Sequence, residues 1–118
     1  DRLVAEYISG ANRFAGRGEA LFGICDDRRL IAIGGLNRDP YQSGGDTGRV
    51  RRVYVLSAWR RRGVGRLLVE KIIDEARLFY DRLTLRTLHE PADGFCRAIG
   101  FQTAQKIESA THHLVLSA

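Results

Sequence analysis

Ser57-Ala58-Trp59-Arg60-Arg61-Arg62-Gly63-Val64-Gly65-Arg66 joins a β-branched run, Val50, Val53 and Val55, to apolar residues at helical spacing, Val64, Leu67, Leu68, Ile72, Ala76 and Phe79. It reads as a glycine-rich turn from a strand into a long helix that runs to about Asp81. Such a turn exposes backbone N–H groups at the positive end of the helix dipole, a geometry that binds phosphate. Gly63 and Gly65 allow close approach, and the arginines add charge-assisted bonds around the same spot. A nucleoside-triphosphate loop needs Gly-Lys-Ser or Gly-Lys-Thr, and a dinucleotide fingerprint needs a third glycine where Leu68 stands, so both fail. A purely structural strand-to-helix turn also favours glycine, and the two glycines alone do not choose the chemistry.

Outward from this turn, the apolar positions of the preceding strand slip by one between Val50 and Val53, as an extra bulged residue would cause. Upstream, Ala20 to Cys25 and Leu30 to Leu36 form an antiparallel hairpin whose turn is the charged quartet Asp26 to Arg29. Asn37 to Gly48, with Pro40, Ser43, Gly44 and Gly45, is a loop too short to link domains. Leu3, Val4, Tyr7, Ile8, Ala11 and Phe14 recur at helical spacing and predict a first helix, ended by Gly16 and Gly18. Downstream, Leu83, Leu85 and Thr87 alternate as a strand, Pro91 opens a helix that Gly100 stops, and Gln102–Ile107 and Thr111–Leu116 are two final strands. Helix, three strands, long helix, strand, helix and two strands make an α/β (α+β) fold with a mixed sheet flanked by helices.

The length of 118 residues fits one domain spanning 1–118. With 44% hydrophobic and 28% charged residues it is neither disordered nor fibrous, and no apolar run approaches the roughly 18 residues that cross a bilayer. Cys25 and Cys96 are too few for a disulfide framework and lack the clustering of a metal site, which fits a reducing, cytoplasmic setting. The chain opens on Asp1 rather than Met, which points to a missing N-terminal piece. The net charge of +5 is local: seven arginines lie between Arg49 and Arg66 with no acid among them, leaving 12 basic against 14 acidic residues elsewhere. A local basic cluster suits a small polyanion or a phosphate-rich surface, or is a solvated arginine-rich face.

Arg52-Val53-Tyr54-Val55 through Arg60-Arg61-Arg62-Gly63-Val64-Gly65-Arg66-Leu67-Leu68 resembles the acetyl-CoA-binding motif of the GNAT superfamily of N-acetyltransferases. His89-Glu90-Pro91-Ala92-Asp93-Gly94-Phe95-Cys96-Arg97-Ala98-Ile99-Gly100-Phe101 looks like that family's later motif, ending in its Gly-Phe. The two lie in the right order and separation, and the resemblance covers nearly the whole chain. It implies a central, mostly antiparallel mixed sheet, with the family's opening strand and helix missing ahead of the first predicted helix. It also implies acetyl-CoA as cosubstrate and a primary amine as acceptor, attacking the thioester directly. By the same resemblance the N–H groups of Arg61, Arg62, Gly63, Val64, Gly65 and Arg66, beside Arg60, cradle the pyrophosphate. Val53 and Val55 would offer backbone groups to the pantetheine arm in the manner of an added strand.

Two positions depart from the family pattern. His89 stands where an asparagine is common, and would contact the cofactor or cap the following helix. Cys96 stands where the family has the tyrosine that acts as general acid. A thiol with a reference pKa of about 8.5 can in principle donate the proton, but cysteine is also a small buried hydrophobe. No general base is evident: Asp46 and Glu19 read as solvated acids, His112 and His113 lie on opposite faces of the last strand, and Trp59 and Tyr54 read as packing.

The competing readings are a catalytically weak acetyl-CoA-binding sensor and a basic nucleic-acid-binding module. Crowding of the arginines at one helix start argues against nucleic acid as a partner. A homodimer is compatible with the sequence. Arg49, Arg51 and Arg52 lie on or before the strand that by resemblance borders the acceptor cleft, so positive potential there is expected to repel polyamines and lysine-rich peptides.

Overall fold

The computed structural model describes residues 3–8, 16–87 and 90–116. Its strands are β1 (Leu3–Tyr7), β2 (Ala20–Asp26), β3 (Arg29–Arg38), β4 (Thr47–Val55), β5 (Arg82–Leu85), β6 (Gln102–Thr103) and β7 (His112–Val115). Helix α1 (Val64–Ala76) connects β4 to β5, and α2 (Glu90–Ile99) connects β5 to β6. The strands form one sheet in the order β1-β2-β3-β4-β5-β7-β6. β4 and β5 are parallel, and the other neighbours are antiparallel. This is the mixed, mostly antiparallel sheet with helices that the sequence predicts.

The predicted first helix is wrong over its opening residues. Leu3–Tyr7 is a strand laddered to β2 from Leu3↔Asp26 to Tyr7↔Phe22. Five residues cannot separate the two periods: Leu3 and Tyr7 are one helical turn apart, yet Leu3, Ala5 and Tyr7 also share a strand face. Pairing with β2 decides it, reinforced by the edge-on contact of the Tyr7 and Phe22 rings at 5.6 Å. A strand, β1, thus stands where the first helix is predicted to begin. The rest of that predicted helix, Ala11 and Phe14 included, lies outside the described residues.

The β2–β3 hairpin forms as predicted and closes through Asp27 and Arg28, with Asp27 in a left-handed conformation at φ 59°. α1 packs on one sheet face, and β3 admits it closely at Gly34. A Cβ built there would lie 3.0 Å from Leu68 and 3.1 Å from Ile72. Leu68 and Ile72 are fully buried with Phe22, Ile24 and Leu36, and each such side chain stabilises the fold by about 1.5–3 kcal/mol.

α1 ends at Ala76 rather than near Asp81. The chain leaves the helix so that the Tyr80 ring lies against Gly48, where a Cβ would sit 2.6 Å away, and its hydroxyl donates to Gly18 O at 2.7 Å. α2 stops before Gly100, which takes a φ of 118° as the predicted C-terminal glycine. The strand expected over Gln102–Ile107 shortens to Gln102–Thr103.

Loop residue Asp39 ties the parallel pair together. Its carboxylate is 1% exposed and accepts the Thr84 hydroxyl of β5 at 2.6 Å and the Tyr41 amide at 2.9 Å. The Arg49 guanidinium of β4 lies 3.7 Å from it and stacks over the Tyr41 ring at 5.0 Å. Removing one member of a buried charge pair leaves the other uncompensated, which costs more than removing both. Asp39→Ala is therefore expected to destabilise the fold by about 3 kcal/mol or more, and adding Arg49→Met to recover part of that loss in urea unfolding. Equal or additive losses would remove this clamp.

Candidate active site

The site begins where β4 and β5 stop pairing. Their ladder holds three pairs, Thr47↔Arg82, Gly48↔Leu83 and Arg49↔Thr84, and from Val50 onward β4 has no β5 partner. On its other side β4 carries the bulge foreseen from the slip of its valines. Ile33 faces Tyr54 and Gly35 faces Arg51, so Arg52 and Val53 stand against Gly34 alone. Arg52 takes a φ of 57°, a strained conformation for a side-chain-bearing residue, costing about 1 kcal/mol. The bulge turns β4 and leaves a notch between the two parallel strands.

α1 starts at the mouth of that notch. Arg61 at φ 63° and Gly63 at φ 81° bend the chain, and the first helical bond runs from Leu67 N to Gly63 O at 3.1 Å. The amides of Val64, Gly65 and Arg66 thus precede any intrahelical acceptor and lie at the positive end of the dipole. A Cβ on Gly63 would meet nothing within 4 Å, so the turn is open.

Two contiguous cavities occupy the notch. One, of about 380 Å³, is lined by Val53 and Val55 of β4, by Arg60, Arg61, Gly63, Gly65 and Arg66 of the turn, and by Tyr54 and Phe95. The other, of about 340 Å³, continues past Val53 and Phe95 to Val50, Arg51 and Arg52 on β4, to Leu85 at the end of β5 with Arg86 and Thr87 beyond it, and to Cys96 of α2. A groove of about 480 Å³ along α1 is lined by alternating Glu70, Lys71, Asp74 and Arg77, a solvated helix face with no converging functional groups.

The predicted binding residues divide. Val53, Val55, Arg60, Arg61, Gly63, Gly65 and Arg66 line the first cavity. Arg62 instead stacks its guanidinium over Trp59 at 5.2 Å, and the Val64 side chain is in the core. Either can serve the site through its backbone alone. The Val55 carbonyl is not free, because Arg60 Nε donates to it at 3.0 Å. Arg49 does not border the cleft, being 7% exposed and held beside Asp39. His89 lies outside the described residues. Phe95, which joins the two cavities and lies 3.4 Å from a Cβ built on Gly65, was not singled out from sequence. Its helical spacing from Ile99 reads only as packing.

Cys96 is 3% exposed in the wall of the second cavity. Burial and then the Asp93 carboxylate push its thiol up to about 11. Asp93 also receives His112 Nε2 at 2.7 Å, while His112 Nδ1 meets the Thr111 hydroxyl at 2.9 Å. This docks α2 on β7 and leaves His112 no face toward the notch. Glu19 accepts Gly16 N and Asn37 Nδ2. Asp46 sits before β4, at the end away from the bulge. Among the described residues no acid or histidine lines either cavity.

A nucleotide-loop enzyme would place a lysine in this turn, and a nucleic-acid surface would spread its cations; here they gather on a cleft beside a helix start with free amides. The acetyltransferase (GNAT) family profile matches residues 3–101, and the chain belongs to that family. Its members use acetyl-CoA. No curated protein sequence matches it. Among solved structures it is similar to a protein from Exiguobacterium sp. 255-15 assigned as an acetyltransferase, with 30% identity, 96% of this chain and 93% of that chain covered, and a TM-score of 0.85. The fold is also that of the ribosomal-protein-S18-alanine N-acetyltransferase from Escherichia coli, at 20% identity, 91% and 75% coverage and a TM-score of 0.68. YncA from Salmonella typhimurium, assigned as an acetyltransferase and solved with its cofactor acetyl-CoA, aligns at 17% identity, 85% and 66% coverage and a TM-score of 0.70.

A thiol whose pKa is raised in the native state stays protonated to higher pH than in the unfolded chain. It therefore adds stability below its ordinary value of 9.0, and that contribution is lost as pH climbs toward about 11. Thiolate absorbance at 240 nm should show one cysteine titrating near 11, absent in Cys96→Ala. A Cys96 midpoint at or below its ordinary value would contradict the burial described.

Proposed function

We propose that the chain transfers the acetyl group of acetyl-CoA to a primary amine by direct attack on the thioester. The observation that carries this reading is the continuity of the two cavities, which run from the open helix start of α1 along bulged β4 to Cys96. The residues present fit coenzyme A: free amides and Arg61 and Arg66 at one end suit the pyrophosphate, and the unpaired edge of β4 suits an amide-bearing arm. When bound, acetyl-CoA supplies the activated acyl group. The chain's part is to hold that group at the bulge, against the apolar side chains of Val50, Val53, Leu85 and Phe95.

Proton movement is then left largely to the acceptor and solvent. With no acid or histidine lining the notch among the described residues, the amine must arrive neutral or lose its proton to water. Cys96 at about 11 is a weaker acid than a coenzyme thiol near 8.5, so giving its proton to the departing thiolate is uphill by roughly 3 kcal/mol. We assign it to the wall rather than to obligatory proton donation. Cys96→Ala should keep turnover within about tenfold. A hundredfold loss in Cys96→Ala with intact cofactor affinity would make the thiol the acid.

The binding assignment is tested at Gly65, where a Cβ makes no contact closer than 3.4 Å. Gly65→Asp should leave the fold intact but place a carboxylate among the amides, abolishing the rise in Tm that acetyl-CoA gives the parent protein. Unchanged calorimetric affinity in a folded Gly65→Asp protein would overturn the site. Binding without thiol release over a broad amine panel would favour the sensor reading instead.

A further inference from the structure

We infer that the acceptor amine carries an oxyanion, a carboxylate or a phosphate, bound by Arg51, Arg52 and Arg86 where the notch opens on the sheet face away from α1; this rests on the acetyl-transfer reading above. The face follows from register. A side chain at Gly34 would point at Leu68 and Ile72 of α1, so Gly35 and its partner Arg51 point the other way. On β5, Leu85 pairs with His112, which reaches Asp93 of α2, so Leu85 faces the helices. Thr84 and, continuing the alternation, Arg86 face the opposite side. Arg52 is the extra residue of the bulge between them.

These three arginines line the same cavity as Cys96, and no acidic side chain lines it among the described residues. Of the arginines between Arg49 and Arg66, four are committed elsewhere, and Arg61 belongs to the first cavity at the helix start. Arg49 is held by Asp39, Arg60 by the Val55 carbonyl, Arg62 by Trp59 and Arg66 by Glu70 at 3.4 Å. Among the described residues no hydrogen bond or ion pair engages the side chain of Arg51, Arg52 or Arg86. The Asp39 carboxylate, the one buried acid among the described residues, is spent on Thr84, Tyr41 and Arg49. Guanidinium groups converging from two strands match an oxyanion bidentately and repel an extended polycation. The pyrophosphate does not account for them, because the turn supplies its own amides and arginines on the other side of Val53 and Phe95.

The test compares matched acceptors by thiol release with acetyl-CoA: amino acids against their carboxamides, aminoalkylphosphonates against the corresponding alkylamines, and spermidine. The oxyanion-bearing member of a pair is expected to have about tenfold or greater kcat/KM, mostly through KM, and the two pairs show whether carboxylate or phosphonate is preferred. Arg51→Ala and Arg86→Ala should each raise that KM about tenfold while sparing the uncharged partner and the calorimetric acetyl-CoA affinity. Arg51→Glu should reverse the preference within a pair. With coenzyme A present, the preferred amino acid should broaden in proton NMR, and the double Arg51→Ala, Arg86→Ala protein should abolish this. Preference for spermidine or the uncharged members, or variants that affect both members alike, would overturn the inference. Absence of acetyl-CoA binding, or of thiol release with every amine, would instead overturn the acetyl-transfer reading on which it rests.

Discussion

Parallel pairing of β4 with β5 that lasts three residues and then stops is the constraint on which the site depends. Below the break, Asp39 joins the two strands through Thr84 and Arg49 in a buried polar cluster. Above it, the extra residue at Arg52 bends β4 away. One end of the pair is therefore clamped by groups that cannot leave without exposing an uncompensated charge, and the other cannot close without removing a residue. Both causes of the opening lie in the strand register and in the core.

The same arrangement sorts the arginines. Seven fall within 18 positions, from Arg49 to Arg66, and a sequence reading treats them as one positive field. In the fold they serve three purposes. Arg49 neutralises Asp39 inside the protein. Arg60 and Arg62 fold back on Val55, Tyr54 and Trp59 and stiffen the turn. The remainder face the cleft from its two ends, Arg61 and Arg66 at the helix start and Arg51 and Arg52 at the bulge. Net charge alone carries none of this distinction, since it depends on which strand face each residue occupies and which acid lies across from it.

What the sequence makes legible is local. The valine slip between Val50 and Val53 marks the bulge because an inserted residue shifts the side-chain alternation by one. The Gly63-Val64-Gly65 turn is legible because positive φ and open space beside the backbone are local requirements. Leu3–Tyr7 is misread because its pairing energy comes from β2, and a five-residue segment satisfies both periods. The early end of α1 is misread for a related reason: Tyr80 is drawn to Gly18, 62 positions earlier, and its apolar character still looks helical. Asp39–Thr84 and Asp93–His112 join residues 45 and 19 positions apart and have no periodic trace at all.

The absence of a proton acceptor in the notch, among the described residues, connects these points. A buried carboxylate at the bulge would assist removal of the amine proton, but it would sit within reach of Arg51, Arg52 and Arg86 and be neutralised by them. The inferred selection of an anionic acceptor by these cations is thus incompatible with a strong local base of the carboxylate type. They have a compensating effect on the acceptor itself. Positive charge near an ammonium favours its neutral form, so the groups that hold the acceptor's oxyanion also lower the pKa of its amine. In that inferred arrangement the acidity of Cys96 would matter little, and the chemistry would depend on positioning a neutral amine against the thioester.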